Sequence, residues 1–395
     1  MGGSPIKEEV FNRLSRLQEQ LKVAGIEGVL LVQKVDVYYF SGTDQNAHLW
    51  VQADFSPLLM VRKNLARAKE DSVLEDVIPL EGLSRLPLLI ERHTGSIPSK
   101  IGVEMDVLPA SQYLIYNKLF PDAEFVDISP LIRSIRMIKS SLELSYISQA
   151  AQVADQMMGQ VPFLLKEVET ETDLAMRLEA FYRSKGHAGF IRTRSFNMEC
   201  CYGHVMAGKN ATAPSSSPGP TGGRGLGPFY SQGASTGKIS PKDPILVDYS
   251  SNIYGYISDQ TRIFSIGRPA GKLLDAHQVM LEVQEAISQR GRPGTRACDL
   301  YDLACGIVEK AGFLEGFMGY PDSVPFVGHG VGLELDELPV IGYKNDAILE
   351  QGMVVAIEPK YVLPGKGVVG IENTFVITSR GMKRLNFFPD SICIV

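Results

Sequence analysis

Two strand-like stretches of the chain carry acidic residues at spacings that point to metal chemistry. In VDYSSNIYGYISDQTRIF, Asp248 and Asp259 are equidistant from a turn centred near Ile253 and Tyr254. Residues symmetric about a hairpin turn face each other with Cβ atoms about 5 Å apart, so we expect these carboxylates to be cross-strand neighbours. Two carboxylates at that separation repel unless a cation lies between them. The first hairpin therefore predicts half of a metal site.

A second hairpin repeats the arrangement. In AIEPKYVLPGKGVVGIENTF, Glu358 and Glu372 are equidistant from Gly365, which lies in the turn sequence PGKG. Each acid alone is explained as well by a solvated strand end or a salt bridge. Two facing acidic pairs inside apolar strands are costly without cations, so together they favour a metal centre.

One histidine lies between glycines in PFVGHGVGLELDELP. His329 is the only histidine of the strand-rich C-terminal stretch, and a lone histidine is often a core residue instead. Four carboxylates and a neutral imidazole carry four negative charges, which two divalent ions would neutralise. Oxygen-rich ligation with one nitrogen suits Mn, Fe, Co or Zn. The sequence thus predicts two divalent metal ions and no cysteine ligand.

The elements around these hairpins form a repeated pattern. Apolar periodicity predicts helices near 141–158 and 171–185 before the first hairpin, and near 275–289 and 297–311 before the second. Ser140 and Glu143 form a capping box at the first of these helices. We interpret the order helix, helix, hairpin as an internal duplication.

The first 135 residues form a separate pattern. A helical stretch at 7–23 is followed by the apolar strands GVLLV, PLLMV and KIGVEM, and a further helix is expected at 110–119. We expect a smaller N-terminal α/β domain at 1–135 and a catalytic domain at 136–395, which makes an α+β protein.

Composition excludes several classes of partner. The net charge is −6 and the basic residues are scattered, which argues against nucleic acid. Apolar runs fall short of the ~20 residues of a membrane span, and MGGSPIKEE has no apolar signal core. Five cysteines without a CxxC pair favour a reducing cytoplasm.

A long loop separates the first helix pair from its hairpin. Ala207–Lys238 is rich in Gly, Pro and Ser, but it has no phosphate-binding motif, because GGRGLG breaks the GxGxxG spacing. Its central part, Ser215–Gly237, is interpreted as either a lid or an inert surface excursion.

The motifs DYSSNIYGYISDQTR, GHGVGLELDE, IEP and GIEN resemble the pita-bread metallopeptidase family of aminopeptidase P, prolidase, creatinase and methionine aminopeptidase. The resemblance spans the chain, since VDVYYFSGT is similar to the N-terminal domain of several members. It implies a pita-bread C-terminal domain, a creatinase-like N-terminal domain, a homodimer and a short peptide or small amide as substrate. The family's ligands fall on five positions: Asp248, Asp259, His329, Glu358 and Glu372. By the same resemblance, a water bridging two metal ions attacks an amide carbonyl and Glu358 accepts its proton.

Several positions depart from the family's peptidases. Asp336 and Ser215 stand where site histidines are expected, and Gly370 replaces an arginine. An ionised aspartate cannot donate to an oxyanion, so Asp336 must be protonated, have another role or be turned away. His204 is the best replacement donor, with a structural histidine as the alternative. Asp336, His204 and Glu358 are therefore the candidate catalytic residues.

Three functions are compatible with these residues. The first is a metallopeptidase-like hydrolase of the Xaa-Pro dipeptidase or aminopeptidase type, which rests on the ligand set. The second is a non-peptidase relative acting on a C–N bond of a small metabolite, as in creatinase, which rests on Asp336 and Ser215. The third is a silent binding protein, which the complete ligand set disfavours.

Overall fold

A computed structural model describes residues 5–395, so the beginning of MGGSPIKEE lies outside the described residues. The chain divides between Arg136 and Met137 into two compact units. Within residues 5–395, no helix has the length and apolar character needed to cross a membrane.

The N-terminal unit is built around a six-stranded mixed sheet in the order β4-β3-β2-β1-β5-β6. The expected strands at GVLLV, PLLMV and KIGVEM are present, and three further strands complete the sheet. Its elements are α1 (Pro5–Ala24), β1 (Gly28–Leu31), α2 (Lys34–Ser41), β2 (Ala47–Gln52), β3 (Leu58–Val61), α3 (Leu65–Asp71), β4 (Asp76–Pro79), α4 (Leu86–Thr94), β5 (Lys100–Val103), α5 (Ala110–Leu119), β6 (Glu124–Asp127) and α6 (Ser129–Met137).

The helices of the C-terminal unit occur in two groups, one before each hairpin region. The first group is α7 (Ser141–Met158), a short α8 (Val161–Leu164) and α9 (Glu171–Ser184), and the second is α10 (Gly271–Arg290) and α11 (Ala297–Ala311). The predicted capping box is present, since Ser140 Oγ accepts from Glu143 N at 3.2 Å and Glu143 Oε2 accepts from Ser140 N at 2.9 Å. Such a cap stabilises a helix by about 1 kcal/mol.

The strands of this unit form three sheets. They are β7 (Gly203–Ala207), β8 (Ile245–Ile253), β9 (Tyr256–Ser265), β10 (Phe326–Gly330), β11 (Glu337–Gly342), β12 (Val354–Ile357), β13 (Lys360–Leu363), β14 (Gly367–Gly370), β15 (Asn373–Thr378), β16 (Gly381–Arg384) and β17 (Cys393–Ile394). The sheet orders are β11-β10-β12-β15-β16, β17-β9-β8-β7 and β13-β14. An isolated bridge between Thr261 and Glu372 joins the four-stranded sheet to the connection between β14 and β15.

A large apolar core underlies these sheets. The helices α10 and α11 contribute buried residues such as Val283 and Leu300, and β12 contributes Val355 and Ile357. Because this core fixes the strands from one side, the polar residues on their other side are held rigidly for the site described below.

Candidate metal centre

The first hairpin has a register that differs from the expected one. β8 and β9 pair Ile253 with Tyr256, so Asp248 lies opposite Thr261 and Asp259 lies opposite Ser250. The expectation that Asp248 and Asp259 face each other directly is wrong. The loop consists of Tyr254 and Gly255, both with positive φ, which moves the centre of the hairpin by one residue. The two aspartates are diagonal neighbours on one face, close enough to share a site.

The second hairpin has the expected register. β13 and β14 pair Lys360 with Gly370, and β12 and β15 pair Ile357 with Asn373. Both ladders place Glu358 opposite Glu372, centred on the PGKG turn. Both glutamates are buried, with 4 % and 1 % of their surface exposed.

All of the candidate site residues line one cavity of about 520 Å³. They are Asp248, Asp259, His329, Glu358 and Glu372, which are the expected ligands, together with His204 and Asp336. His204, Asp248, Asp259 and His329 lie on the four strands β7, β8, β9 and β10, and the other three lie in connections between strands. The structure therefore brings together all of the candidate ligands and catalytic residues.

One side of the cluster, which we call the histidine side, contains His329 and Asp259 together with the Oε1 atoms of Glu358 and Glu372. His329 Nε2 lies 3.6 Å from Glu358 Oε1 and 3.8 Å from Glu372 Oε1. Asp259, His329 and Glu372 each offer one ligand atom, and these atoms lie within 4.8 Å of one another. Glu372 Oε1 is buried and has no hydrogen-bond partner. An unpartnered buried carboxylate oxygen is costly, so this side fits a divalent ion.

Neighbouring groups orient the ligands of the histidine side. His329 Nδ1 lies 3.2 Å from the carbonyl oxygen of Gly330, which assigns the proton to Nδ1 and leaves the Nε2 lone pair facing the acids. Asp259 Oδ1 accepts from Ser250 Oγ and Gln260 N, both at 3.0 Å. Burial and the charge of Asp248 raise the pKa of Asp259 to about 6.

The other side, which we call the lysine side, contains a residue that the sequence reasoning missed. Lys360 Nζ lies 3.0 Å from Asp248 Oδ2, 2.7 Å from Glu358 Oε2 and 3.0 Å from Glu372 Oε2. The signal was present in IEPK, because residues two apart on an extended strand project to the same face. Lys360 therefore had to join Glu358 in the cluster.

Lys360 is a charged group in this setting. Burial alone would lower its pKa, but Asp248, Glu358 and Glu372 together raise the pKa of Lys360 well above its ordinary value. The same ammonium, acting against burial, leaves the pKa of Asp248 below its ordinary value. Lys360 thus supplies one positive charge to the site. The charge balance expected from the sequence, with four carboxylates and two divalent ions, did not include this charge.

Asp336 and His204 occupy different parts of the cavity wall. Asp336 accepts from Arg194 N at 2.8 Å, Ser195 N at 2.9 Å and Ser195 Oγ at 2.5 Å, so both of its oxygens hold the 194–195 backbone. His204 lies opposite Asp248 in the β7–β8 ladder. Burial lowers the pKa of His204 although Asp248 acts in the opposite direction, and this favours the neutral imidazole.

The acids on either side of Asp336 have structural partners. Glu337 accepts from Lys139 Nζ at 2.9 Å, and Glu334 lies 3.8 Å from Arg194 Nη1. The acidic run after His329 therefore serves mainly to hold β11 and the loop segment around residues 194 and 195.

Part of the long loop forms another wall of the cavity. Residues 216–221 and 228–232 line it. Gly233 N donates to Gly222 O at 2.8 Å, and Ser235 N donates to Glu171 Oε2 at 2.8 Å. The loop is therefore fixed by hydrogen bonds, which support its placement over the site.

This fold and site define a class of protein. The family model of metallopeptidase family M24 matches residues 145–379, more than half of the chain, and that of the creatinase/prolidase N-terminal domain matches residues 13–138. The chain belongs to metallopeptidase family M24. The pita-bread fold with a creatinase-like N-terminal domain, expected from the motifs, is confirmed, and the protein is a metallopeptidase-like hydrolase whose family implies divalent metal ions.

Individual proteins and solved structures are similar to this chain over most of its length. The chain is 30% identical to a Xaa-Pro dipeptidase of Lactobacillus delbrueckii subsp. lactis over 336 residues, which cover 82% of this chain and 83% of that protein. The structure of a Xaa-Pro dipeptidase from Bacillus anthracis superposes with a TM-score of 0.83 at 25% identity, covering 98% of this chain and 100% of that one. The prolidase from Pyrococcus horikoshii OT3 gives a TM-score of 0.79 at 25% identity, covering 96% and 99%.

Proposed function

We propose that this protein is a metal-dependent hydrolase of the Xaa-Pro dipeptidase or aminopeptidase type, which cleaves an amide bond of a short peptide. The observation that carries the proposal is the histidine side, where Glu372 Oε1 is buried without a partner beside His329 and Asp259. Asp259, His329, Glu358 and Glu372 would hold a divalent ion there. Such an ion would lower the pKa of a bound water and polarise the substrate carbonyl.

Glu358 is the proposed general base. Its Oε2 atom accepts from Lys360, while Oε1 lies on the histidine side, 3.6 Å from His329 Nε2. Oε1 is therefore the atom placed to accept a proton from an attacking water, and the hydrogen bond from Lys360 holds the carboxylate in that orientation.

His204 and Asp336 have different proposed roles. His204 lines the cavity and its lowered pKa favours the neutral imidazole, whose N–H is the proposed donor to the developing oxyanion. Asp336 already accepts three hydrogen bonds from residues 194 and 195, and we assign it to positioning the cavity wall. The loop at 215–237 is proposed to cover the substrate.

Purified protein tests this function directly. Protein prepared without chelator is assayed with Gly-Pro and Ala-Pro in the presence of Mn²⁺, Co²⁺, Zn²⁺ or Fe²⁺, and release of free proline is measured. Hydrolysis that disappears with chelator and in the Glu358→Gln variant supports the proposal. Metal uptake without cleavage of any Xaa-Pro peptide would contradict it.

A second candidate function is hydrolysis of a small amide or other C–N bond in a substrate that has no carboxylate. Among the described residues that line the cavity, only Lys360 carries an ammonium or guanidinium group, and three carboxylates occupy it. A dipeptide carboxylate therefore has no cation to bind within this cavity. Comparison of Ala-Pro with its C-terminal amide discriminates the two, since faster cleavage of the amide favours the second candidate.

We also propose that the protein acts as a homodimer in a reducing cytoplasm. The support is the family resemblance and the state of the five cysteines, all of which are free. Light scattering coupled to gel filtration measures the dimer, and a monomer at assay concentration would contradict it.

A further inference from the structure

The position of Lys360 has a consequence for the number of metal ions. We propose that the Lys360 ammonium permanently takes the place of a second metal ion, so that this chain binds one divalent ion, on the histidine side, instead of two. This inference rests on the proposed metal-dependent function.

The hydrogen-bond geometry of Lys360 is complete. An ammonium has three N–H donors, and Nζ has three carboxylate acceptors at 2.7–3.0 Å, one each from Asp248, Glu358 and Glu372. The nitrogen thus lies at the point where these acids converge. An ion bound by the same oxygens would have to displace it.

Moving the Lys360 ammonium out of the cluster would cost free energy. Its side chain is 2 % exposed, and the residue lies in strand β13, directly opposite Gly370. A Cβ atom on Gly370 would lie 2.5 Å from the carbonyl oxygen of Pro359, 2.8 Å from Lys360 Cα and 2.9 Å from Lys360 Cγ, so a side chain at 370 would clash with this backbone and with the lysine stem. A displaced ammonium would leave a buried charge without its partners.

Charge balance alone does not choose between one ion and two. Four carboxylates surround the site, and Lys360 with one divalent ion brings three positive charges to them. Lysine with two divalent ions would bring five, so the net charge would be −1 with one ion and +1 with two, and the position of Nζ among the acids is what favours one ion. The single ion would then be accepted on the side where Glu372 Oε1 lacks a partner, while Glu372 Oε2 is already held by Lys360 and Thr261.

The experiment measures bound metal and not activity. Wild-type protein and the variants Lys360→Ala and Lys360→Met are dialysed against Mn²⁺, and the metal-to-protein ratio is determined by elemental analysis. We expect about one ion per chain in the wild type and about two in Lys360→Ala, which removes both the charge and the volume. Lys360→Met removes the charge but keeps much of the volume. A folding defect would appear in both variants, whereas an effect of the vacated volume would appear only in Lys360→Ala.

A matched control uses Lys139, a second buried lysine, whose carboxylate partner Glu337 is not one of the proposed ligands. Lys139→Met should keep the wild-type ratio. The Mn²⁺ electron paramagnetic resonance spectrum provides an independent readout, since an isolated ion and a coupled pair give different spectra. Anomalous scattering from wild-type crystals in Mn²⁺ should give one peak beside His329.

The outcomes separate this inference from the proposed function. Two ions in the wild type, or one ion in both the wild type and Lys360→Ala, would overturn the role of Lys360 and leave the hydrolase proposal standing. No bound ion in the wild type would overturn both.

Discussion

The lysine side and the histidine side are built from the same two glutamates, yet their polar atoms are satisfied in different ways. On the lysine side, Glu358 Oε2 and Glu372 Oε2 accept hydrogen bonds from Lys360. On the histidine side, Glu358 Oε1 faces His329 and Glu372 Oε1 has no partner. The difference shows that one carboxylate cluster can contain both a completed structural site and a site that needs a ligand.

The largest expected effect is on the histidine side. Asp259→Asn replaces a carboxylate ligand by a neutral amide, and we expect the affinity for Mn²⁺ to fall by more than about 100-fold, because even outer contacts of a metal site contribute ~10-fold to 100-fold. Peptide hydrolysis should be lost together with the metal. Isothermal titration calorimetry measures the affinity, and near-wild-type binding would show that the ion lies elsewhere.

A smaller effect is expected from the equivalent change on the lysine side. Asp248 contacts Lys360 at 3.0 Å, so Asp248→Asn should retain one ion per chain with an affinity reduced by about 30-fold through loss of charge. The same titration is used. If Asp248→Asn lost as much affinity as Asp259→Asn, the two sides would not be distinct.

The hydroxyl groups of Ser250 and Thr261 provide a further test of the difference between the histidine side and the lysine side. Ser250 Oγ donates to Asp259 at 3.0 Å, and Ser250→Ala should weaken metal binding by about 10-fold through loss of this orientation. Thr261 Oγ1 donates to Glu372 Oε2 at 2.8 Å, but Lys360 also holds that oxygen. Thr261→Val is therefore the matched control, with an expected change below about 3-fold. Equal losses in both variants would argue against a difference between the sides.

The smallest expected effect on metal comes from Asp336, which belongs to neither side. Asp336→Ala removes three hydrogen bonds to residues 194 and 195, and we expect the free energy of unfolding to fall by about 2 kcal/mol. Urea denaturation measures this loss. Metal stoichiometry should not change, whereas a loss of bound metal would assign Asp336 to the centre itself.

Much of the architecture could be predicted, because it depends on local patterns. The capping box at Ser140 and the hairpin centred on Gly365 were both predicted correctly, since the capping pattern and the PGKG turn are each specified by a few adjacent residues. The hairpin at Tyr254 and Gly255 was placed one residue too early. Its turn depends on two residues with positive φ, and only Gly255 signals this conformation in the sequence.

The sequence by itself determined which residue types reach the site: four acids and a histidine on strands of alternating pattern, with Lys360 two residues after Glu358. Strand alternation is a local property, so it fixes the face on which each side chain lies. Only the tertiary structure decided how the charges are shared among them. The bridge between Thr261 and Glu372 brings the two hairpins together, and this places the Lys360 ammonium between Asp248 of one hairpin and the glutamates of the other. Distances between separate sheets depend on packing of the whole core, which no short stretch of sequence specifies.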